Sequence, residues 1–484
     1  MSNPYDDRLG LLNSSSYTEQ LAEVNSSHGV RASEDVYNVH GALVCRAGTR
    51  IDYDAARKLV RHKLTMPLDK SLEFENAVTG RGIYRRFEAA LKRFSDLDAA
   101  AHNLRFNRDF EAIATKRELP KLVAQKLTVM NVKYPELMDR TVVGTWMALL
   151  MGRELGLVES ELNLLFIAAV SRDLGMLHVP RDLLERPPAA LYTADDWRAL
   201  HSHVVASHMI LQECEGLPRR VLDAVLEHHE NMDGTGYPAS KTKAELGKWG
   251  QILGVADTVT SLRLQAFVGS GRNLRDTRAV IQIDADARHN DVVWAAVSVL
   301  NRCKVKRTAF HAYETKAELK ATLYRRSKAM MAAKQMLADM PNLMPVNNPR
   351  AHTPRLLTAF VERLAITLLR SGHGEPELAK WLQLVHEGKE EVELPDLVEI
   401  DLQQRELFWQ LRRLHLQMLT FADKKNMRAQ SPVRMMLERM AQMFDQLDQD
   451  RGLIEVEGSQ DLLAQAASQD ITHGEDFLPA QKAG

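Results

Sequence analysis

Five of the seventeen histidines, His201, His203, His208, His228 and His229, fall within thirty positions of one another. The last two are adjacent and open the run His228-His229-Glu230-Asn231-Met232-Asp233-Gly234-Thr235-Gly236-Tyr237-Pro238. Two neighbouring imidazoles beside a tight turn can present their nitrogens to one cation. Gly234 and Gly236 let the backbone turn sharply and approach a ligand closely. A His-His pair alone is ordinarily unremarkable, but inside a run of this composition it is a strong signal. Two carboxylates belong with it. Asp173 sits in Val170-Ser171-Arg172-Asp173-Leu174-Gly175-Met176, and Asp257 in Ile252-Leu253-Gly254-Val255-Ala256-Asp257, each polar in apolar surroundings. A buried carboxylate needs a cation or hydrogen-bond donors. Singly, each aspartate reads as a salt bridge or a helix cap; with inward histidines nearby, a metal site is the better reading, with Asp173 as its candidate catalytic carboxylate.

These residues depend on helices to bring them together. Thr193-Ala-Asp-Asp196 has the form of a capping box and starts a helix. On it Trp197, Leu200, His203, Val204, Ser207 and Leu211 share one face, so His203 points inward. His201 and His208 lie on another face and are expected in solvent. A second helix follows Pro218, with Val221, Leu222, Val225 and Leu226 as its apolar stripe; His228 and His229 extend that stripe at its C-terminal end. Asp173 comes after the apolar helix Leu162–Val170.

The run His228 to Pro238 resembles the signature of the HD-GYP family of bacterial phosphohydrolases, which hydrolyse cyclic di-GMP. The resemblance extends from about Tyr134 to Cys303, through Val179-Pro180-Arg181-Asp182-Leu183-Leu184 and the Trp197 helix. It implies an all-helical bundle around a two- or three-metal centre. Carried over residue by residue, it places Asp173 at the metal-bridging aspartate and His203, His228 and His229 at the second metal. It places Asp257 at the terminal aspartate of the first metal and Glu136 at the extra glutamate of trinuclear members. Asp233, Gly234, Gly236, Tyr237 and Pro238 form the signature loop.

The departures fall on one half of that centre. Arg172 stands where the family has the histidine of its His-Asp pair, and Arg140 where it has an earlier helical histidine. Met176 replaces a lysine, and Thr260-Ser261 and Ala266-Phe267-Val268 replace residues that follow the terminal aspartate. A guanidinium stays protonated and cannot ligate a metal. The first metal site is therefore expected to be lost, with Arg140 and Arg172 paired to Asp257 and Asp173 or contacting phosphate in its place. What remains implies one divalent ion, iron, manganese or zinc, or no ion at all. Three readings stay open: a nucleotide- or partner-binding regulator with weakened or lost hydrolysis, a mononuclear cyclic-di-GMP phosphodiesterase, and an inert scaffold. Whether the chain is an enzyme is not decided by its sequence.

The rest of the chain frames this centre. At 484 residues it is too long for one core. Hydrophobic residues at 45% and charged residues at 26% give an ordinary globular balance. Lys+Arg 63 against Asp+Glu 64 leaves a formal net charge of −1, so no global field draws in nucleic acid or an anionic membrane. Three scattered cysteines argue against a disulfide framework, and no apolar run reaches membrane-spanning length. The expected location is the cytoplasm. The expected fold is all-α: an HD-domain bundle with a small β-rich N-terminal segment and a helical C-terminal region. Its parts read as a flexible tail (1–30), a β-containing module (31–80), a helical connector (81–132), the metal-site domain (133–304) and a helical domain (305–484). A hairpin is expected over Val36–Ile51, followed by a helix from Tyr53. Leu407, Leu411, Leu414 and Met418, then Val433, Met436, Met440, Met443 and Leu447, form stripes suited to a signalling partner's helix or, as the commoner case, to an internal core. Oligomeric state is not legible.

Overall fold

The computed structural model describes residues 15–116, 118–186, 193–307, 313–343 and 352–448. It begins with α1 (Ser15–His28), which corrects the expectation of a flexible tail over 1–30; residues 1–14 lie outside the described residues. The segment SSYTEQLAEVNSSH is polar on average. Yet Tyr17, Leu21 and Val24 recur at helical spacing and are fully buried. The Tyr17 hydroxyl donates to Asp69 at 2.6 Å, and Gln20 donates to the Leu177 carbonyl at 3.3 Å. The tail reading failed because average polarity concealed one apolar stripe.

Four short strands follow. β1 (Val30–Ala32) pairs antiparallel with β4 (Leu72–Phe74), and β2 (Val36–Tyr37) with β3 (Leu43–Cys45). The β2–β3 pair is the hairpin expected from the sequence. The β1–β4 pair closes the module around α2 (Tyr53–Val60), whose first turn is capped by the Asp52 side chain.

Helices make up the remainder. α3 (Gly80–Arg93), α4 (Ser95–Leu104) and α5 (Asn107–Lys116) form the connector. The central layer comprises α6 (Lys121–Lys133), α7 (Pro135–Glu154), α8 (Glu159–Ser171), α9 (Arg181–Leu184), α10 (Ala194–Gln212), α11 (Arg219–Glu227), α12 (Lys248–Ser261), α13 (Thr277–Ile283) and α14 (Asn290–Arg302). Every residue of α7 from Thr141 to Gly152 is buried, so this helix is apolar all round and forms the axis of the bundle. α3, α8, α12 and α14 pack against it. Two glycines set how close they come. A Cβ at Gly152 would stand 2.9 Å from the Leu165 side chain, and one at Gly144 only 2.7 Å from the Arg172 guanidinium.

The last region holds α15 (Lys316–Asp339), α16 (His352–Arg370), α17 (Pro376–His386), α18 (Leu394–Lys424) and α19 (Pro432–Asp448). The stripes of α18 and α19 face each other and join Met330, Phe360 and Leu364 in one core. They are thus consumed inside the chain, and the expected partner helix has no claim on them. The short 425–431 link folds α19 back along α18, which is why both stripes find a neighbour at once. No described helix is long and apolar enough to cross a membrane.

Candidate metal centre

Three chain segments converge on one interior point: the turn after α8, the middle of α10 and the end of α11. They bring one ligand atom each from Asp173, His203, His228 and His229 within 4.8 Å of one another. Ligands bonded to one ion at roughly 2.1 Å stand about 3.0–4.2 Å apart depending on geometry, so a contraction of about 1 Å would close this set. Local structure fixes each member. Gly175 N donates to Ser207 Oγ at 2.8 Å, tying the Asp173 turn to α10. A Cβ at Gly175 would meet the His203 carbonyl at 2.1 Å. α10 starts from the capping box, with Asp196 N donating to Thr193 Oγ1 and Thr193 N to Asp196 Oδ2.

The imidazoles are oriented by their own helices. His203 Nδ1 lies 2.7 Å from the Leu200 carbonyl, and His228 Nδ1 lies 2.7 Å from the Val225 carbonyl. A carbonyl only accepts, so each Nδ1 carries a proton and each Nε2 is the nitrogen left to face a ligand. Those Nε2 atoms stand 3.6 and 3.8 Å from Asp173 Oδ1. Among the described residues neither Nε2 has a hydrogen-bond partner, nor has either Asp173 oxygen, and all are buried. Buried lone pairs facing a carboxylate with no proton between them repel; a cation at their centre removes the conflict. Burial pushes the His203 pKa down to about 4 and that of His229 well below its usual value. These imidazoles are neutral at pH 7, as metal ligands must be. The residues therefore fit one divalent ion.

The other half of the centre holds guanidinium groups. Arg172, only 1% exposed, sets its Nε 3.2 Å from Asp173 Oδ2 and its Nη2 3.1 Å from Asp257 Oδ1. Its remaining donors reach the Ala169 carbonyl at 3.0 Å and the Arg140 carbonyl at 3.3 Å. Arg140 lies further off, with Nη2 3.6 Å from Asp173 and Nε 3.8 Å from Asp257. Burial alone would raise the Asp173 pKa, but Arg172 and Arg140 outweigh it and hold that carboxyl well below the usual range. Two carboxylates and two guanidiniums thus balance in charge, and none of the nitrogens offers a lone pair to a metal.

Some residues singled out by sequence lie elsewhere. Glu136 is exposed on the first turn of α7 and is not among the clustered ligand atoms. It shares a helix face with Arg140, but it lies at the exposed N-terminal end of α7, a turn short of the centre. Asp257 serves the guanidiniums and is likewise outside the four-residue set. His201 and His208, expected in solvent, are half-buried. The His201 ring stacks on Tyr237 at 3.8 Å, and His208 Nδ1 lies 3.2 Å from the Leu222 carbonyl. The periodicity of α10 could not show that the signature loop and α11 would cover its second face. Burial accordingly pushes the His201 pKa down to about 3.

The loop itself is shaped by its own residues together with Glu227, Lys241 and Arg363, which sequence reasoning passed over. The Glu230 carboxylate accepts from Ala239 N at 2.7 Å and Lys241 N at 3.0 Å. Glu227 accepts from Gly247 N at 2.9 Å and pairs with Lys241 Nζ at 2.7 Å. Asp233 Oδ1 accepts from Thr235 N, while its Oδ2 pairs at 2.6 Å with Arg363 of α16. Gly234 has φ +81°, and a Cβ at Gly236 would meet Asn231 N at 2.4 Å. Tyr237 then stacks on both His201 and His229. The alternation of acidic residues and glycines was the available signal for this scaffold; the Arg363 contact, 130 positions away, had none.

Residues 125–292 match the family model of the HD domain. A cyclic di-GMP phosphodiesterase of Pseudomonas aeruginosa is 29% identical over 116 residues, covering 23% of this chain and 28% of that protein. A 3′3′-cGAMP-specific phosphodiesterase of Vibrio cholerae is 24% identical over 166 residues, covering 34% and 38% respectively. The chain thus spans only about a third of the length of these curated relatives. An HDG"Y"P protein of Bdellovibrio bacteriovorus aligns over 56% of this chain and 95% of its own at 13% identity, with a TM-score of 0.30, too low to carry a structural argument.

Proposed function

We infer, from a chain whose residues 125–292 match the HD-domain family model, a cyclic-di-GMP signalling protein of the HD-GYP type that binds a cyclic dinucleotide and has weakened or lost phosphodiesterase activity. One observation carries this reading: the Arg172 guanidinium is buried between Asp173 and Asp257, within 3.2 Å of both carboxylates. That position belongs to a fixed charge, not to an exchangeable ion with open coordination sites.

Asp173, His203, His228 and His229 would hold a single divalent ion, with iron, manganese and zinc all suited to imidazole and carboxylate donors. Such an ion supplies a Lewis acid and a bound water of lowered pKa. Asp173 and the three imidazoles would hold that ion, and their burial would keep bulk water from it. Arg172 is wholly enclosed and compensates the carboxylates. Arg140 keeps 16% of its side chain exposed and offers the charge that can meet a phosphodiester oxygen from the open side. Hydrolysis with these groups lacks the clamp that a second ion provides on attacking and leaving oxygens.

The complete four-residue set favours one second reading, a slow single-ion phosphodiesterase. Metal content of the purified full chain, measured with binding and turnover of cyclic di-GMP, tests both. The regulator reading expects at most one ion per chain, binding of the dinucleotide and negligible turnover. Turnover with one ion that disappears in His228→Ala establishes the second reading. Two ions per chain with rapid turnover would refute both.

A further inference from the structure

A second charged cluster lies where the central layer meets the C-terminal helices. Asp401 of α18 is fully buried and carries several donors at once. Arg326 Nη1 of α15 donates to its Oδ1 at 2.8 Å, and the Tyr313 hydroxyl donates at 3.2 Å. Arg405 Nε donates to its Oδ2 at 2.9 Å, and Arg272 Nη2, from the segment between α12 and α13, at 3.4 Å. All three arginines are nearly or fully buried: Arg272 8% exposed, Arg405 6%, Arg326 0%. Three guanidiniums thus surround one carboxylate. Asp276 also faces Arg272 and takes up part of its charge, so among these groups guanidiniums outnumber carboxylates three to two.

The unsatisfied donors lie on a particular edge. Arg326 Nε and Nη2 are both buried and have no hydrogen-bond partner among the described residues. Those two nitrogens form the side of the guanidinium fork that grips an oxyanion through two parallel hydrogen bonds. Two buried donors left without an acceptor are unfavourable, and where three guanidiniums meet around Asp401 an oxyanion suits them better than a neutral carbonyl. We propose that the Arg272–Arg326–Arg405 cluster binds a phosphoryl-type oxyanion, inorganic phosphate or the phosphate of a small phosphomonoester, seated on the Nε/Nη2 edge of Arg326. Bound there, the anion joins α15 and α18 to the segment that carries Arg272. The site is separate from the metal centre and does not depend on the function proposed for it.

Thermal unfolding and calorimetry of the full chain test it, with potassium phosphate titrated against potassium chloride at matched ionic strength and EDTA present. Wild type is expected to gain several degrees in Tm in a saturable, phosphate-specific manner. Arg326→Lys keeps a charge but loses the fork, and should weaken phosphate binding tenfold or more. Arg140→Ala should leave the response intact, which assigns it away from the metal centre. 5′-GMP in place of phosphate separates the sources: tighter binding than phosphate marks a phosphomonoester ligand, weaker binding the free ion. Absence of saturable stabilisation by either anion in wild type, or an unchanged response in Arg326→Lys, would overturn the proposal.

Discussion

Arg172→Met removes the fixed charge at the metal centre while retaining most of its volume. The guanidinium faces two carboxylates at 3.1 and 3.2 Å. At an effective dielectric of about 20, each contact is worth roughly 5 kcal/mol of Coulomb energy before desolvation. Loss of one partner from a buried pair costs about 3–5 kcal/mol in practice, because the survivor keeps an uncompensated charge. Urea unfolding at pH 7 in EDTA should show that loss, and Tm should fall by roughly 3–5 °C for a chain of this length. Adding Asp257→Asn to Arg172→Met should restore part of it, since one of the stranded carboxylates is then neutral. The coupling expected from such a cycle is about 1–3 kcal/mol. A cost below about 1 kcal/mol for Arg172→Met, or strict additivity in the double variant, would refute the charge-compensation argument.

His228→Ala should lower bound metal by an order of magnitude or more, measured by elemental analysis, while Glu136→Ala leaves it unchanged; the reverse pattern would move the site. Gly144→Ala gains about 1 kcal/mol in helix propensity, yet its Cβ would lie 2.7 Å from Arg172 Nη2. A net loss of about 1–3 kcal/mol is expected from the displaced guanidinium, and a stabilised variant would place Arg172 elsewhere. Burial lifts the Glu230 carboxyl to about 7, above the unfolded value of about 4.3, so the folded chain holds a proton that the unfolded chain releases. Its stabilising contribution is complete below pH ~4.3 and is lost as pH rises through 7. Urea titrations should therefore show Glu230→Gln gaining on wild type across that interval by up to roughly 3 kcal/mol, and a constant difference would refute this. Arg363→Met breaks the buried pair with Asp233 and should speed amide exchange at Thr235; unchanged exchange would mean the loop is held without α16.

What the sequence disclosed followed the range of the interactions involved. The inward face of α10, the turn at Gly234 and Gly236 and the hairpin from Val36 are set by neighbours within a few positions, and periodicity reveals them. The pairing of Arg172 with Asp257 is long-range, but two arginines in place of two histidines made the charge pattern visible. Other features were hidden. α1 buries Tyr17, Leu21 and Val24 under a polar average. The cover over His201 comes from Tyr237, thirty-six positions on, and no local pattern encodes it. Gly144 gives no sign in α7 of the guanidinium it admits. Asp401 and its arginines come from three separate stretches of chain, none of which alone shows that they meet.

The seat of Arg172 has a consequence for the conditions the protein tolerates. An ion can be stripped by a chelator, exchanged for a tighter-binding competitor or, if it is iron, oxidised. A side chain anchored at its own α-carbon undergoes none of these. Half of this pocket is thus indifferent to metal supply and to oxidants, and only the part around the imidazoles of residues 203, 228 and 229 stays responsive to either.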